Sequence, residues 1–173
     1  MTSERPGGGL AATPLFATLT REEQEQLESS VQRREFTAGQ EIYSDGSPPD
    51  ALFVLMAGEV ELLIPRAGGE ELLSTRGPSS VFGEMAVLEG QPRMVRARAK
   101  TDVEVESVAA DGFMELLSSS PRLREALHDL LVSITRDLVR NKDDAGVKVL
   151  RAIAAAMRAA SVTDTVGRIN SRS

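Results

Sequence analysis

Between Arg33 and Ser107 the chain is cut by turn residues at short, regular intervals, and the runs between the cuts are rich in β-formers with a period of two. Glu35-Phe36 is followed by Ala38-Gly39, Glu41 to Tyr43 by Ser44 to Pro49, and Ala51 to Met56 by Ala57-Gly58. Glu59 to Ile64 gives way to Arg66 to Gly69, and Glu70 to Thr75 ends at Gly77-Pro78. Two more strands, Met94 to Ala99 and Val103 to Val108, close the region. Short strands at this spacing have one economical solution, an antiparallel sandwich or barrel.

Helices flank this β region. Thr20-Arg21-Glu22-Glu23 is a capping-box start, with Leu19, Leu27 and Val31 as the buried stripe of the helix that follows. Asp111 to Ser118 forms a short helix, and Pro121 opens a long one, where its missing N–H is harmless. Leu123, Ala126, Leu127, Leu130, Leu131, Ile134 and Leu138 make a wide apolar stripe along it. One side of that stripe can cover the barrel and the other a second copy, so a homodimer through 121–141 is expected. Residues 1–12 are Gly/Pro/Ala punctuation and are expected to be disordered. Beyond the break at 141–146, residues 146–160 form a basic amphipathic helix, and 161–173 a polar tail.

Composition removes most chemistry. The 173 residues include one His and no Cys, so disulfides, thiolate metal sites and a cysteine nucleophile are excluded, and most zinc constellations with them. His128 has no second ligand or nucleophile near it in sequence. The expectation is a protein that is not an enzyme and carries neither metal nor cofactor. There is no apolar run long enough to span a membrane and no signal-peptide core, which points to the cytoplasm. The net charge of −6 divides into −10 for residues 1–145 and +4 for 146–173. Any unknown protein partner is expected on the basic 146–160 segment.

One stretch breaks the β pattern. Val81-Phe82-Gly83-Glu84-Met85-Ala86-Val87-Leu88-Glu89-Gly90-Gln91-Pro92-Arg93 places a Gly, a run of helix formers and Gly-x-Pro-Arg between two strands, as a single helical turn would require. Free amides at the start of such a turn attract an anion, Gly83 permits close approach, and Arg93 can present a bidentate guanidinium. Glu84 would repel a phosphate, but it accepts hydrogen bonds from a sugar hydroxyl beside one. Together they suit a nucleotide monophosphate. The bland alternative is a turn in which Glu84 and Arg93 pair with each other. No Gly-x-x-x-x-Gly-Lys-[Ser/Thr] loop is present, which argues against triphosphate hydrolysis.

From about Leu15 to Leu138 the sequence resembles the cyclic nucleotide-binding domain family, which includes the bacterial catabolite activators and the regulatory subunits of cAMP-dependent kinase. The matching residues are Leu15-Phe16, Phe36, Gly39-Gln40, Ile42, Gly46, Leu52 to Leu55, Gly58-Glu59-Val60, Phe82 to Ala86, Pro92-Arg93 and Ala97-Arg98-Ala99. The resemblance implies a mainly β fold with flanking helices: an antiparallel β jelly-roll barrel with an N-terminal helix and a long C-terminal helix, together spanning 13–141. It implies that Glu84 holds the ribose and Arg93 the cyclic phosphate of cAMP or cGMP, with the amides of Gly83, Met85 and Ala86 completing the cradle. It also implies that the helix after Pro121 lids the pocket. Thr135, Arg136, Leu138 and Arg140 are the lid candidates.

The chain departs from the family at Met94 and Val95, where ligand-binding members place small or hydroxyl-bearing residues. A lost hydrogen bond to a charged phosphate costs about 1.5–3 kcal/mol. A degenerate barrel serving as an interaction or structural module is therefore the rival reading. The 32 residues beyond Asn141 are too few for the DNA-binding domain of the bacterial activators, so a stand-alone sensor is expected. Arg96, Arg98 and Lys100 share one strand face and read as a solvated basic surface, or alternatively as a site for an acidic partner.

Overall fold

The computed structural model describes residue 10 and residues 13–141. The disordered tail expected at 1–12 falls almost wholly outside them, and the basic helix at 146–160 and the polar tail at 161–173 fall entirely outside. In chain order the elements are α1 (Arg21–Glu28), β1 (Val31–Phe36), β2 (Glu41–Tyr43), β3 (Ala51–Ala57), β4 (Val60–Arg66), β5 (Gly69–Arg76), β6 (Val81–Phe82), α2 (Glu84–Glu89), β7 (Arg96–Ala99), β8 (Val103–Ala109), α3 (Ala110–Ser119) and α4 (Pro121–Asn141). The fold is mainly antiparallel β with flanking helices, as the sequence implies. Its strands form two four-stranded sheets, ordered β1-β8-β3-β6 and β2-β7-β4-β5. Among the described residues the barrel is left open, since no ladder joins one sheet to the other.

Two cores follow from this layout. Between the sheets, Phe36, Phe53, Leu55, Val103 and Val105 of the first meet Ile42, Tyr43, Val60, Leu62, Ala97 and Ala99 of the second. On the opposite face of the first sheet, Leu52, Val54 and Val108 pack against Leu15, Phe16, Leu27, Phe113, Leu116 and the Leu123, Leu127, Leu131 and Ile134 ridge of α4. Strand β3 is therefore buried on both faces, which explains why Leu52 to Leu55 is continuously apolar rather than alternating.

The predicted cap is present: the Glu23 amide donates to Thr20 Oγ1 and the Thr20 amide to Glu23 Oε1. The helix nevertheless ends at Glu28, with Val31 in β1. Val31 reaches the helix-side core from a strand paired with β8, so its place in a helical stripe is corrected. Met94 and Val95 likewise precede β7 rather than belong to it. Gly58 turns β3 into β4 at φ +89°, where a Cβ would lie 2.2 Å from the Asp102 carbonyl oxygen, so a side chain is excluded there by both conformation and space.

The α3–α4 corner is tightly tied. Ser120 is buried and its Oγ accepts the Leu123 amide at 3.2 Å, while Arg124 Nη1 donates to the carbonyls of Leu117 and Ser118 at 2.9 and 3.0 Å. No helix among the described residues is long and apolar enough to cross a membrane.

Candidate functional site

The stretch that breaks the β pattern folds as β6 followed by the six-residue α2. Gly83 caps α2 at φ +79°, a left-handed conformation that glycine adopts without strain. Its lack of a side chain has a second use, because a Cβ would lie 2.8 Å from Arg93 Nη1 and 3.3 Å from the Tyr43 ring. The close neighbour Gly83 admits in this structure is thus the arginine itself.

Arg93 is 3% exposed. Its Nη1 donates to the Gly83 carbonyl at 2.9 Å, and its Nη2 donates to the Ala51 carbonyl and, at 3.3 Å, to Asp50 Oδ1. The guanidinium stacks 4.1 Å from the centre of the Tyr43 ring, in front of an aromatic pile in which Phe53 and Phe82 lie 5.2 Å apart. A cation over such faces is stabilised by the ring quadrupoles, by about 2 kcal/mol when desolvated. The Arg93 Nε is buried with no hydrogen-bond partner among the described residues.

Glu84 is 4% exposed and makes no ion pair with Arg93, so the bland alternative of a self-contained Glu84–Arg93 turn is corrected: the carboxylate beside Arg93 is that of Asp50. Burial pushes the Glu84 carboxyl above its ordinary range. The charges of Arg76 and Arg93 and a hydrogen bond from its own backbone amide pull the other way, Arg76 more strongly than Arg93. Burial also pushes the Tyr43 hydroxyl well above its usual value, against the field of Arg93. That hydroxyl stays neutral and available as a donor.

These groups line a cavity of about 220 Å³ between the second sheet, α2, the loop after it and α4. The seven residues singled out from the sequence, Gly83, Glu84, Met85, Ala86, Arg93, Met94 and Val95, all border it. Met94 is 46% exposed, so it sits at the mouth of the cavity rather than filling it. From α4 the lining residue is Ile134. The lid candidates fare differently: Thr135 spends its hydroxyl on the Leu131 carbonyl at 2.8 Å, and Arg136 is exposed outside the lining. The side chains of Leu138 and Arg140 lie outside the described residues.

Sequence reasoning missed Tyr43, Asp50 and the Ala51 carbonyl, which reach Arg93 from more than 40 positions away. It also missed Arg76 and Ser74 at the end of β5. The Arg96, Arg98 and Lys100 face is ion-paired rather than free: Arg96 meets Glu41, Asp45 and Glu70, Arg98 meets Glu61 and Glu70, and Lys100 meets Glu59. Carboxylates from neighbouring strands and turns thus occupy the face for which an acidic partner was the alternative reading. His128 is exposed, within 4.0 Å of Asp129. Among the described residues no group of His, Asp and Glu is arranged to hold a metal ion.

The model of the cyclic nucleotide-binding domain family matches residues 33–120, which span the site and both sheets. A cAMP-dependent protein kinase regulatory subunit of Emericella nidulans is 35% identical over 62% of this chain and 26% of its own length. The cyclic AMP receptor protein of Thermus thermophilus is 31% identical over 74% of this chain and 60% of its own. The chain thus spans between a quarter and three-fifths of these curated relatives. The crystal structure of Thermus thermophilus catabolite activator protein superposes with a TM-score of 0.65 at 25% identity, covering 92% of this chain and 88% of that one. With the family model spanning half of the chain, and the two-sheet fold and the helical break at 83–93 in agreement with it, this protein belongs to the cyclic nucleotide-binding domain family.

Proposed function

We propose that this chain is a cytoplasmic regulatory sensor that binds a cyclic nucleotide, cAMP or cGMP, and signals to a partner protein by moving its C-terminal helix. The observation that carries the reading is one cavity holding a buried carboxylate and a buried guanidinium that do not neutralise each other. An unpaired buried polar group costs about 1–3 kcal/mol, and such groups are retained where something else completes them. A cyclic phosphate would complete Arg93, whose Nε is unpartnered, and a ribose hydroxyl would donate to the buried Glu84 carboxylate in the same cavity. The curated relatives are regulatory proteins named for cAMP, which supports the same class of ligand. Signal transfer has a path through Ile134, which joins the cavity wall to the helix-side core. A homodimer through 121–141, and a partner docked on 146–160, complete the proposal.

Titration calorimetry with cAMP and cGMP tests it. Micromolar or tighter binding of either, abolished in Arg93→Ala, is expected. A second reading, an interaction module without ligand, is favoured by the three acceptors Arg93 already holds and by Met94 at the hydroxyl position. Absence of heat from both nucleotides, with partner capture unchanged by them, would establish that reading instead.

A further inference from the structure

Beside the cavity of Glu84 and Arg93 lies a larger one, of about 610 Å³, between the turn before α1, the β5–β6 connection and α4. Arg76 borders both. It reaches them because Leu63 pairs with Leu72 and Leu62 with Ser74, which leaves Leu73 as an extra residue of β5. That bulge reverses the alternation of the strand, so Arg76 faces inward opposite the buried Val60.

The larger cavity carries its charges in a fixed order. Arg122, Glu125, Asp129 and Ser133 follow at intervals of three or four residues, so they share one face of α4 over about 16 Å. Ser133 adjoins Ile134, which lines the first cavity together with Arg76, so Arg76 stands at that end of the row. The groove therefore has an arginine at each end and two carboxylates between them.

These charges do not neutralise one another. Arg76, Arg122 and Glu125 form no ion pair with another described residue, and Asp129 approaches only His128, at 4.0 Å. Glu23 feels Arg122 as a nearby charge without pairing with it. Two further groups are buried in the wall without a hydrogen-bond partner among the described residues: the hydroxyl of Thr13, a residue 2% exposed, and the Arg76 Nε. A wall serving only the core would carry neither, because a buried polar group left unpaired is destabilising.

We propose that this groove is a second ligand site, built for an acidic α-amino acid. A guanidinium only donates hydrogen bonds, so each arginine calls for an anionic acceptor. Glu125 and Asp129 call for a cation between those acceptors. A molecule that sets an ammonium beside two carboxylates, as glutamate and aspartate do, matches that order. A dicarboxylate without the amine, or a sugar phosphate, would lay uncompensated negative charge on Glu125 and Asp129. The site stands apart from the nucleotide cavity and does not depend on nucleotide binding.

Calorimetry on the full chain with L-glutamate, L-aspartate, glutarate and 4-aminobutyrate, at constant ionic strength, tests it. Glutarate lacks the ammonium and 4-aminobutyrate the α-carboxylate. The expected result is a Kd below about 1 mM for one or both amino acids, with both analogues at least about tenfold weaker. Arg122→Gln, on the exposed face of α4, should weaken the amino acid about tenfold. Glu125→Gln combined with Asp129→Asn should bring glutarate level with glutamate, a crossover that a merely structural role would not produce. Absence of binding by both amino acids, glutarate as tight as glutamate in the wild type, or displacement of glutamate by cAMP would each overturn the site. Absence of binding together with a change of sedimentation in Arg122→Gln would assign the groove to a second copy of the chain instead. The wild-type comparison of glutamate with glutarate decides the matter even if a variant does not fold.

Discussion

Arg93 and Arg96 stand three residues apart, one in the loop after α2 and one at the start of β7, and have opposite fates. Arg96 is part-exposed and shares three carboxylates, Glu41, Asp45 and Glu70. Arg93 is buried against aromatic faces, holds two carbonyls, and has one carboxylate at 3.3 Å on a side chain that is itself mostly in solvent. The first arginine is neutralised many times over in a high dielectric, where each pair contributes little. The second keeps most of its field, in a medium that amplifies it. Arg93 is thus the less neutralised of the two, although sequence alone shows the same residue twice.

The contrast can be broken most forcefully at Arg93. Arg93→Ala strips donors from the Gly83 and Ala51 carbonyls and leaves Tyr43 without its cation, so we expect a stability loss of about 2–4 kcal/mol by urea denaturation, alongside lost nucleotide binding. Gly83→Ala attacks the same arrangement from the other side. A methyl group at φ +79°, 2.8 Å from Arg93 Nη1, should cost about 1–3 kcal/mol and displace the guanidinium, weakening nucleotide binding with it.

Glu84 supplies a pH test. Its carboxyl is held above the ordinary 4.5 by burial, so the folded protein binds that proton more tightly than the unfolded chain does. The resulting stabilisation is full below the ordinary value and is lost as pH rises through the raised one. Glu84→Gln carries no charge to desolvate, so its melting temperature should gain on the wild type as pH climbs from about 4.5 to 8. A constant difference across that range would contradict a carboxyl raised by burial. The smallest effect is expected at the other arginine: Arg96→Ala should change stability by less than about 1 kcal/mol, with the difference fading in high salt. A larger loss would mean that the exposed carboxylate group is structural after all.

The parts of this arrangement that were legible in the sequence are those decided locally. Alternation and turn residues specify seven of the strands, because each needs only its own two faces and its own turn. The seven residues singled out from the sequence fall between Gly83 and Val95, so one continuous segment, α2 with the residues on either side of it, collects them. Contacts closed by the fold were not legible. Asp50 and Ala51 reach Arg93 only because the start of β3 and the loop after α2 are neighbours in space, and nothing in their own surroundings marks them. Arg76 was hidden by a specific device. Counting by twos from the exposed Leu72 puts residues 74 and 76 on the solvent face, and only the extra residue at Leu73 turns them inward. Val31 failed for a related reason, since an apolar residue after a short helix satisfies the helical period as well as the start of a strand.

The clasp at the α3–α4 corner has a mechanical consequence. Arg124 holds the last carbonyls of α3 while Ser120 holds the first turn of α4, so the near end of α4 is pinned to its neighbour by hydrogen bonds rather than by side-chain packing alone. The 21 residues of α4 form a bar about 30 Å long, tied to α3 at its near end. Ile134 bears on it beyond the midpoint, and a tilt of about 5° there carries the far end through about 3 Å. On the proposed reading, in which ligand moves this helix, the far end at Asn141 would travel farther than Ile134 does at the cavity wall.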